Sequence, residues 1–356
     1  MTSSENLDGN SAELPDAELP DAALPDAPPP DAAPIGAASS GVAAEAVPRA
    51  RPAAVGAGGS ARDAVDEAVA SARYAAEAAG VSVREVTELR DLERVVRLLA
   101  RIWGRDANPP MSLELLRALD KAGNYVGGAF VADELVGACV GFFHAPAEDT
   151  LHSHIAGVSP ELVGRHVGFA LKLHQRAWTM CRGVDQITWT FDPLVSRNAF
   201  FNIVKLAARP VEYLPNFYGL MADGVNRSSD TDRLLVHWPL RDPAVAAACG
   251  RAGGGTAPPR PPSGPYPAPG PAAGPAADAV VALGIAADGS PEPGRLDGAT
   301  SLVAVPPDIT GLRGTDPVLA GRWRGAVREA MTALPAQGAT VVGFDRTGGY
   351  VLRRNR

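Results

Sequence analysis

From about residue 60 onward, apolar positions fall into helical stripes and short alternating runs. Ser60-Ala61-Arg62-Asp63 has the spacing of a capping box, and the Ala-rich helix it opens is predicted to run to about Ala79, where Gly80 stops it. Val81 to Val86 reads as a strand. Asp91 to Trp103 carries Leu92, Val95, Val96, Leu99 and Ile102 on one face, the stripe of an amphipathic helix. Ser112 is placed to cap a second helix bearing Leu113, Leu116 and Leu119. Tyr125 to Ala132 and Leu135 to Phe143 are apolar strands around a turn at Asp133-Glu134, and Leu151 to Val158 is a third. A helix follows from about Gly164 to Cys181. The strand Gln186 to Phe191 alternates Ile187, Trp189 and Phe191 with Gln186, Thr188 and Thr190, and a further helix is expected near Asn198 to Leu206.

Outside this body the pattern changes. Residues 1–58 repeat Leu-Pro-Asp-Ala at Leu14, Leu19 and Leu24, and recurrent proline with little apolar surface predicts a disordered tail. Residues 59–80 are the Ala-rich helix, 81–240 the main domain, and 241–278 a Pro/Gly-rich linker. Residues 279–356 carry strands near Val280–Leu283 and Leu302–Val305, a helix from Val318 to Leu334, and strands at Thr340–Phe344 and Tyr350–Arg353. A unit this small is expected to pack on the main domain to bury its sheet.

Composition narrows the function. The net charge of −7 is concentrated in the tail: residues 1–48 hold nine acids and no Lys or Arg, and the rest of the chain has 31 acids against 33 bases. No basic patch points to nucleic acid. Three widely spaced cysteines fit neither a zinc site nor a disulfide framework, so no metal is expected. No apolar run reaches membrane-spanning length, and the acidic, proline-rich start is unlike a secretory signal, so the expectation is a cytoplasmic protein without membrane contact.

The chemistry-bearing stretch is Gly157-Val158-Ser159-Pro160 through Gly164-Arg165-His166-Val167-Gly168. A strand ending in a glycine-bearing loop that opens a helix points backbone N–H groups, and the helix dipole, at one spot. That suits a phosphate or pyrophosphate, and equally describes an ordinary strand–loop–helix junction.

Val158, Pro160, Gly164 and Gly168 resemble motif A of the GNAT acetyltransferases, with Val163 where Arg or Gln is usual and His166 where Gly is usual. Ser196, Ala199, Lys205 and Leu206 resemble motif B, with Ile203 at the place of the Tyr acid and Ala207 at that of the Gly. The element order is also the GNAT order. His152-Ser153-His154, Ile187 to Pro193, Arg197 to Ala199, Asn216 to Gly219, and Asp232-Arg233 through Trp238 are similar to a poorly characterised subgroup of predicted acetyltransferases, and this similarity continues to Trp323 to Ala330. The resemblance implies an α/β fold: a GNAT-like mixed central sheet flanked by helices, with the C-terminal α/β extension added. It implies acetyl-CoA as cosubstrate, held by Gly157, Val158 and Ser159 along the pantetheine and by Gly164, Arg165, His166, Val167 and Gly168 around the pyrophosphate.

Direct acyl transfer needs a base, an oxyanion donor and an acid for the thiolate. His152 and His154 share a face of their strand by its period of two, and His154, nearer the loop, is the candidate base; the alternative is an imidazole packed in the sheet. Asp192 is a candidate base or amine anchor, or else a turn cap. Tyr213 or, by preference, Tyr218 could supply the acid missing at Ile203. Arg197 and Asn198 could face a substrate carboxylate or cap a helix, while Asp232-Arg233 reads as a structural ion pair or turn. The expected function is an N-acyltransferase acting on a small-molecule amine, with a homodimer admitted. The alternatives are a non-catalytic relative that binds acyl-CoA or a protein partner, and a scaffold whose C-terminal unit fills the cofactor cleft.

Overall fold

The computed structural model describes residues 58–146, 148–219, 230–250, 279–345 and 348–354. The expected tail and most of the expected linker lie outside these residues. In chain order the elements are α1 (Gly58–Ala79), β1 (Ser82–Glu85), α2 (Leu89–Trp103), α3 (Leu113–Lys121), β2 (Tyr125–Val131), β3 (Glu134–Phe143) and β4 (Thr150–Val158). A 3-10 turn (Pro160–Leu162) leads to α4 (Val167–Cys181), β5 (Gln186–Phe191) and α5 (Ser196–Ala199), which runs on as a π-helical turn (Phe200–Lys205). Then come β6 (Arg209–Leu214), β7 (Arg233–Pro239) and α6 (Pro243–Gly250). The C-terminal unit is β8 (Val280–Ile285), β9 (Pro291–Pro293), β10 (Thr300–Ala304), α7 (Ile309–Thr315), α8 (Pro317–Ala336), β11 (Ala339–Asp345) and β12 (Gly349–Arg354).

The main sheet has the order β1-β2-β3-β4-β5-β7-β6 and is antiparallel except for the β4–β5 pair. The mixed sheet flanked by helices is therefore the fold class expected. One side is covered by α2 and α3, through Leu92, Val95, Leu98, Leu99 and Leu116 against Val126, Ala138 and Val140. Each such leucine, fully removed from water, contributes about 1.5–3 kcal/mol before entropy is counted. Ser112 caps α3 as expected, its Oγ accepting from the Leu115 N–H. On the other side lies α4, buried over most of its circumference, with α1 laid along it through Ala68, Ala72, Ala75 and Ala76.

Several boundaries differ from expectation for local reasons. Helical bonding starts at the His166 carbonyl, so α4 begins at Val167 and not at Gly164. The motif-B segment is split between α5 and a π turn, where the Leu206 N–H reaches back to the Phe201 carbonyl. Residues 243–250 of the expected linker form α6, with Val245 and Cys249 buried. Strands β6 and β7 are not among the elements the sequence predicts. The later one, β7, is inserted between β5 and β6, pairing Trp238 with Ile187 and Leu234 with Phe191.

The C-terminal unit has a sheet of order β11-β12-β10-β8-β9, with α7 and α8 capped by Asp308 and Asp316. It is tied to the main domain by buried polar contacts. The Tyr350 hydroxyl donates to the Pro193 carbonyl at 2.7 Å, and arginines of α7 and α8 reach Asp192 and Asp232. These bonds fall at the end of β5 and on the Tyr213–Arg233 region, not on the loop that follows β4.

Candidate functional site

Strands β4 and β5 form a fork. They pair only at Thr150–Gln186, Leu151–Ile187 and His152–Thr188, although β4 continues to Val158 and β5 to Phe191. Beyond His152 the edge of β4 that faces β5 has no strand partner, while its other edge is bonded to β3. Unpaired main-chain groups of that kind can hold an extended ligand as an added strand would be held.

At the open end of the fork lies the loop before α4. The Leu162, Val163 and Arg165 amides are bonded within the loop, and the Ser159 amide donates to the Val136 carbonyl at 2.8 Å. Among the described residues, the amides of Gly164, His166, Val167 and Gly168 have no backbone acceptor. Four free donors at the start of a fifteen-residue helix make an anion cradle. Gly164 (φ 89°) and His166 (φ 63°) both take left-handed backbone, so the imidazole residue supplies the conformation expected of glycine. Ala207 (φ 54°) does the same where motif B has glycine. Burial, reinforced by the nearby Lys205 charge, lowers the pKa of His166. Lys205, given no role from sequence, thus adds positive charge beside the cradle.

The expected cofactor residues are therefore sorted by geometry. Gly164, His166, Val167 and Gly168 offer amides. Ser159 and Arg165 do not, because theirs are already bonded; the exposed Arg165 offers only its side chain. By the alternation of the strand, with the Ser159 N–H on β3, the Val158 N–H points into the fork. Gly157 is glycine for packing: a Cβ there would stand 2.8 Å from Ile102 and 2.9 Å from Trp103 at the end of α2. At Gly168 a Cβ would meet only Val158 Cγ2, at 3.7 Å, so a methyl would be tolerated there and a larger side chain would extend over the cradle.

The face of the fork on the α2 side carries imidazoles. A bulge in the β3–β4 ladder, between Val140 and Gly141, leaves His154 as the extra residue of β4. The simple alternation expected for His152 and His154 is broken there, yet their rings remain neighbours at 6.3 Å, both against Phe142. His152 and His144 approach the hydroxyl of Thr188, at 3.4 and 3.2 Å. Desolvation lowers the pKa of His154. It lowers that of His152 to about 4, with the His154, His144 and Lys172 charges adding to the effect. Both rings are consequently neutral at neutral pH. Tyr218, 41% exposed, lies farther along this face, its hydroxyl 3.2 Å from Thr190 Oγ1 and its ring edge against Phe217.

Asp192 is not part of this arrangement, which corrects the expectation of a base or amine anchor. It is buried, with Oδ1 accepting from the Leu194 amide and Arg324, and Oδ2 from Arg324 and Arg313. Burial by itself would raise its pKa; the charges and bonds of Arg324 and Arg313 outweigh that and hold it to about 2. Both carboxylate oxygens are taken up by the Leu194 amide and the two arginines of the C-terminal unit. Tyr213 is likewise occupied, donating to Asp232 Oδ2 at 2.6 Å, and Asp232 is gripped by Arg328 of α8. Arg233 itself donates to the Asp232 carbonyl. Arg197 and Asn198 are exposed on α5, and Ile203 packs against the core.

On the other side of the fork sits Lys172, an α4 position that no sequence motif marks. It is 6% exposed. Its Nζ donates to Ser153 Oγ at 2.8 Å and Gln175 Oε1 at 3.1 Å, and lies 3.9 Å from the centroid of the Trp189 ring. Burial pulls its pKa down to about 8.

Two surface grooves lie away from the fork, one along α2 beside Arg97, Arg101 and Glu134, the other between α1 and α4 beside Trp178. Among the described residues no group of three or more His, Cys, Asp or Glu side chains is arranged to hold a metal ion, and no helix is long and apolar enough to cross a membrane.

No family model matches the sequence, and no curated protein matches it. Solved structures similar to the chain include an N-acetyltransferase from Staphylococcus aureus Mu50, 13% identical, covering 45% of this chain and 99% of its own, with a TM-score of 0.38. A Salmonella typhimurium protein described as an acetyltransferase with its cofactor acetyl-CoA is 13% identical, covering 47% of this chain and 98% of its own, with a TM-score of 0.38. An aminoglycoside 6'-acetyltransferase type Ii is 17% identical, covering 45% and 98%, with a TM-score of 0.37.

Proposed function

We propose that the protein is an acyl-CoA-dependent N-acyltransferase, with acetyl-CoA as the donor, that moves the acyl group directly to an amine of a small molecule. The observation that carries this is one continuous feature: a strand fork with unpaired main chain that opens onto four unbonded amides at a helix start. Its chemistry matches an extended amide-bearing arm joined to a pyrophosphate. The donor supplies a thioester carbonyl. The amides of Gly164, His166, Val167 and Gly168 hold the pyrophosphate, aided by the charges of Arg165 and Lys205, and the Val158 amide faces the arm.

His154 is the base. Its ring stands on the re-aimed residue of β4 with its pKa lowered by desolvation, so it accepts the one proton that the acceptor, entering as the free amine, gives up on acylation. Tyr218 borders the same side of the sheet, where it orients the amine and not the leaving sulfur. Asp192 has no part in the chemistry.

Calorimetric titration with acetyl-CoA tests the reading. Micromolar binding is expected, and Gly168→Trp abolishes it by extending over the cradle. Absence of binding by the unaltered chain removes the acyltransferase reading. Binding without turnover of any amine leaves the second reading, a non-catalytic acyl-CoA binder, which Ile203 favours by packing where motif B keeps its acid.

A further inference from the structure

The acyltransferase reading leaves one chemical requirement unmet, a proton for the departing thiolate. Ile203 is aliphatic and packed, Tyr213 is committed to Asp232, and Tyr218 lies on the acceptor side. The other side of the fork is where an ammonium has been buried. Lys172 Nζ spans the point at which the two strands part: Ser153, which it bonds, is the first β4 residue beyond the last pair with β5, and Trp189, whose ring it faces, is the first β5 residue beyond it. Among the described residues none of its contacts is a carboxylate. The remaining neighbours are Gln175 and, through Ser153, the buried thiol of Cys139 at 3.7 Å. A buried cation without an anionic partner is costly to keep, and such groups cluster where charge is used.

We propose that the Ser153 hydroxyl, backed by the Lys172 ammonium, is the proton donor to the departing coenzyme A thiolate, with Ser153 the catalytic residue and Lys172 the positioning residue behind it. This rests on the acyltransferase reading above. As the amine nitrogen bonds to the carbonyl carbon and the C–S bond breaks, the bond's electron pair goes to sulfur. Sulfur takes the Ser153 proton, and Ser153 takes one from Lys172. The proton leaving the amine goes to His154, so one proton enters the protein and one reaches the thiol. Lys172 and His154 return to their starting states by exchange with solvent once the products leave. Burial assists, because a lysine lowered to about 8 gives up its proton far more readily than an exposed one.

The test uses free coenzyme A bound to the full chain, its thiol titrated by thiolate ultraviolet absorbance. In the unaltered protein the bound thiol is expected to be at least about tenfold more acidic than in solution, one pKa unit. Lys172→Met, which keeps the length and removes the charge, returns it to the solution value while coenzyme A still binds. Ser153→Ala shifts it the same way and serves if the lysine variant does not fold. Equal thiol acidity in the unaltered and variant proteins overturns the proposal and leaves the acyltransferase reading standing. Failure of the unaltered protein to bind coenzyme A ends both.

Discussion

His154 shows how one residue's placement depends on a local irregularity. The alternation of β4 places it beside His152, but it is the extra residue of a bulge, and bulges re-aim side chains. Desolvation then keeps the ring neutral. For a base with its pKa lowered from 6.5, kcat/KM is expected to rise with pH through a limb lying below 6.5 and, with Lys172 as the proton source, to fall again above about 8. His154→Gln should lower kcat/KM by about 10²- to 10⁴-fold, remove that limb and leave acetyl-CoA affinity intact. A pH–rate profile on both proteins checks this, and an unchanged limb would assign the base elsewhere. The imidazole is visible in the sequence. The bulge is not, because it is set by how β3 and β4 register against each other. His166 and Ala207 carry a related lesson: both depart from a glycine pattern, yet both hold the left-handed backbone that glycine would provide.

At the scale of elements, Asp192 joins the end of β5 to α7 and α8. Removing one partner of a buried charge group leaves the others uncompensated, so Asp192→Asn is expected to cost about 3–5 kcal/mol in urea unfolding, with turnover per folded molecule preserved. A large loss of kcat with normal stability would instead restore it as a catalytic group. The pH dependence has a definite sign. The folded carboxyl titrates at about 2 against 3.8 when unperturbed, so its contribution is complete above 3.8 and is lost as pH falls toward 2. It amounts to about 2 kcal/mol. The stability gap between the unaltered protein and Asp192→Asn should therefore narrow over that interval.

The whole molecule depends on the same contacts. With Arg313, Arg324, Arg328 and Tyr350 all reaching into the main domain, the C-terminal unit is expected to unfold together with it. A chain ending at Gly250 leaves Asp192 and Asp232 buried without their cations, and is expected to lose its cooperative unfolding transition in circular dichroism. The isolated 279–356 segment should lack a transition of its own, being too small to bury its sheet unaided. A sharp transition in either fragment would separate the two units.

Much of this protein is written locally. Hydrophobic stripes at α2 and α3, apolar runs at β2 to β4, alternation at β5, the Ser112 cap and the glycine-bearing loop after β4 each depend on residues a few positions apart, and all are legible in the chain alone. Other features join residues that no periodicity connects. Strand β7 enters between β5 and β6, Asp192 finds arginines 121 and 132 positions away, and Lys172 ends beneath a fork made by two strands it does not belong to. Long-range packing set these. A charged side chain in a sequence carries no mark of its partner, and whether it becomes an ion pair, a surface charge or a buried proton donor is settled by which elements close over it.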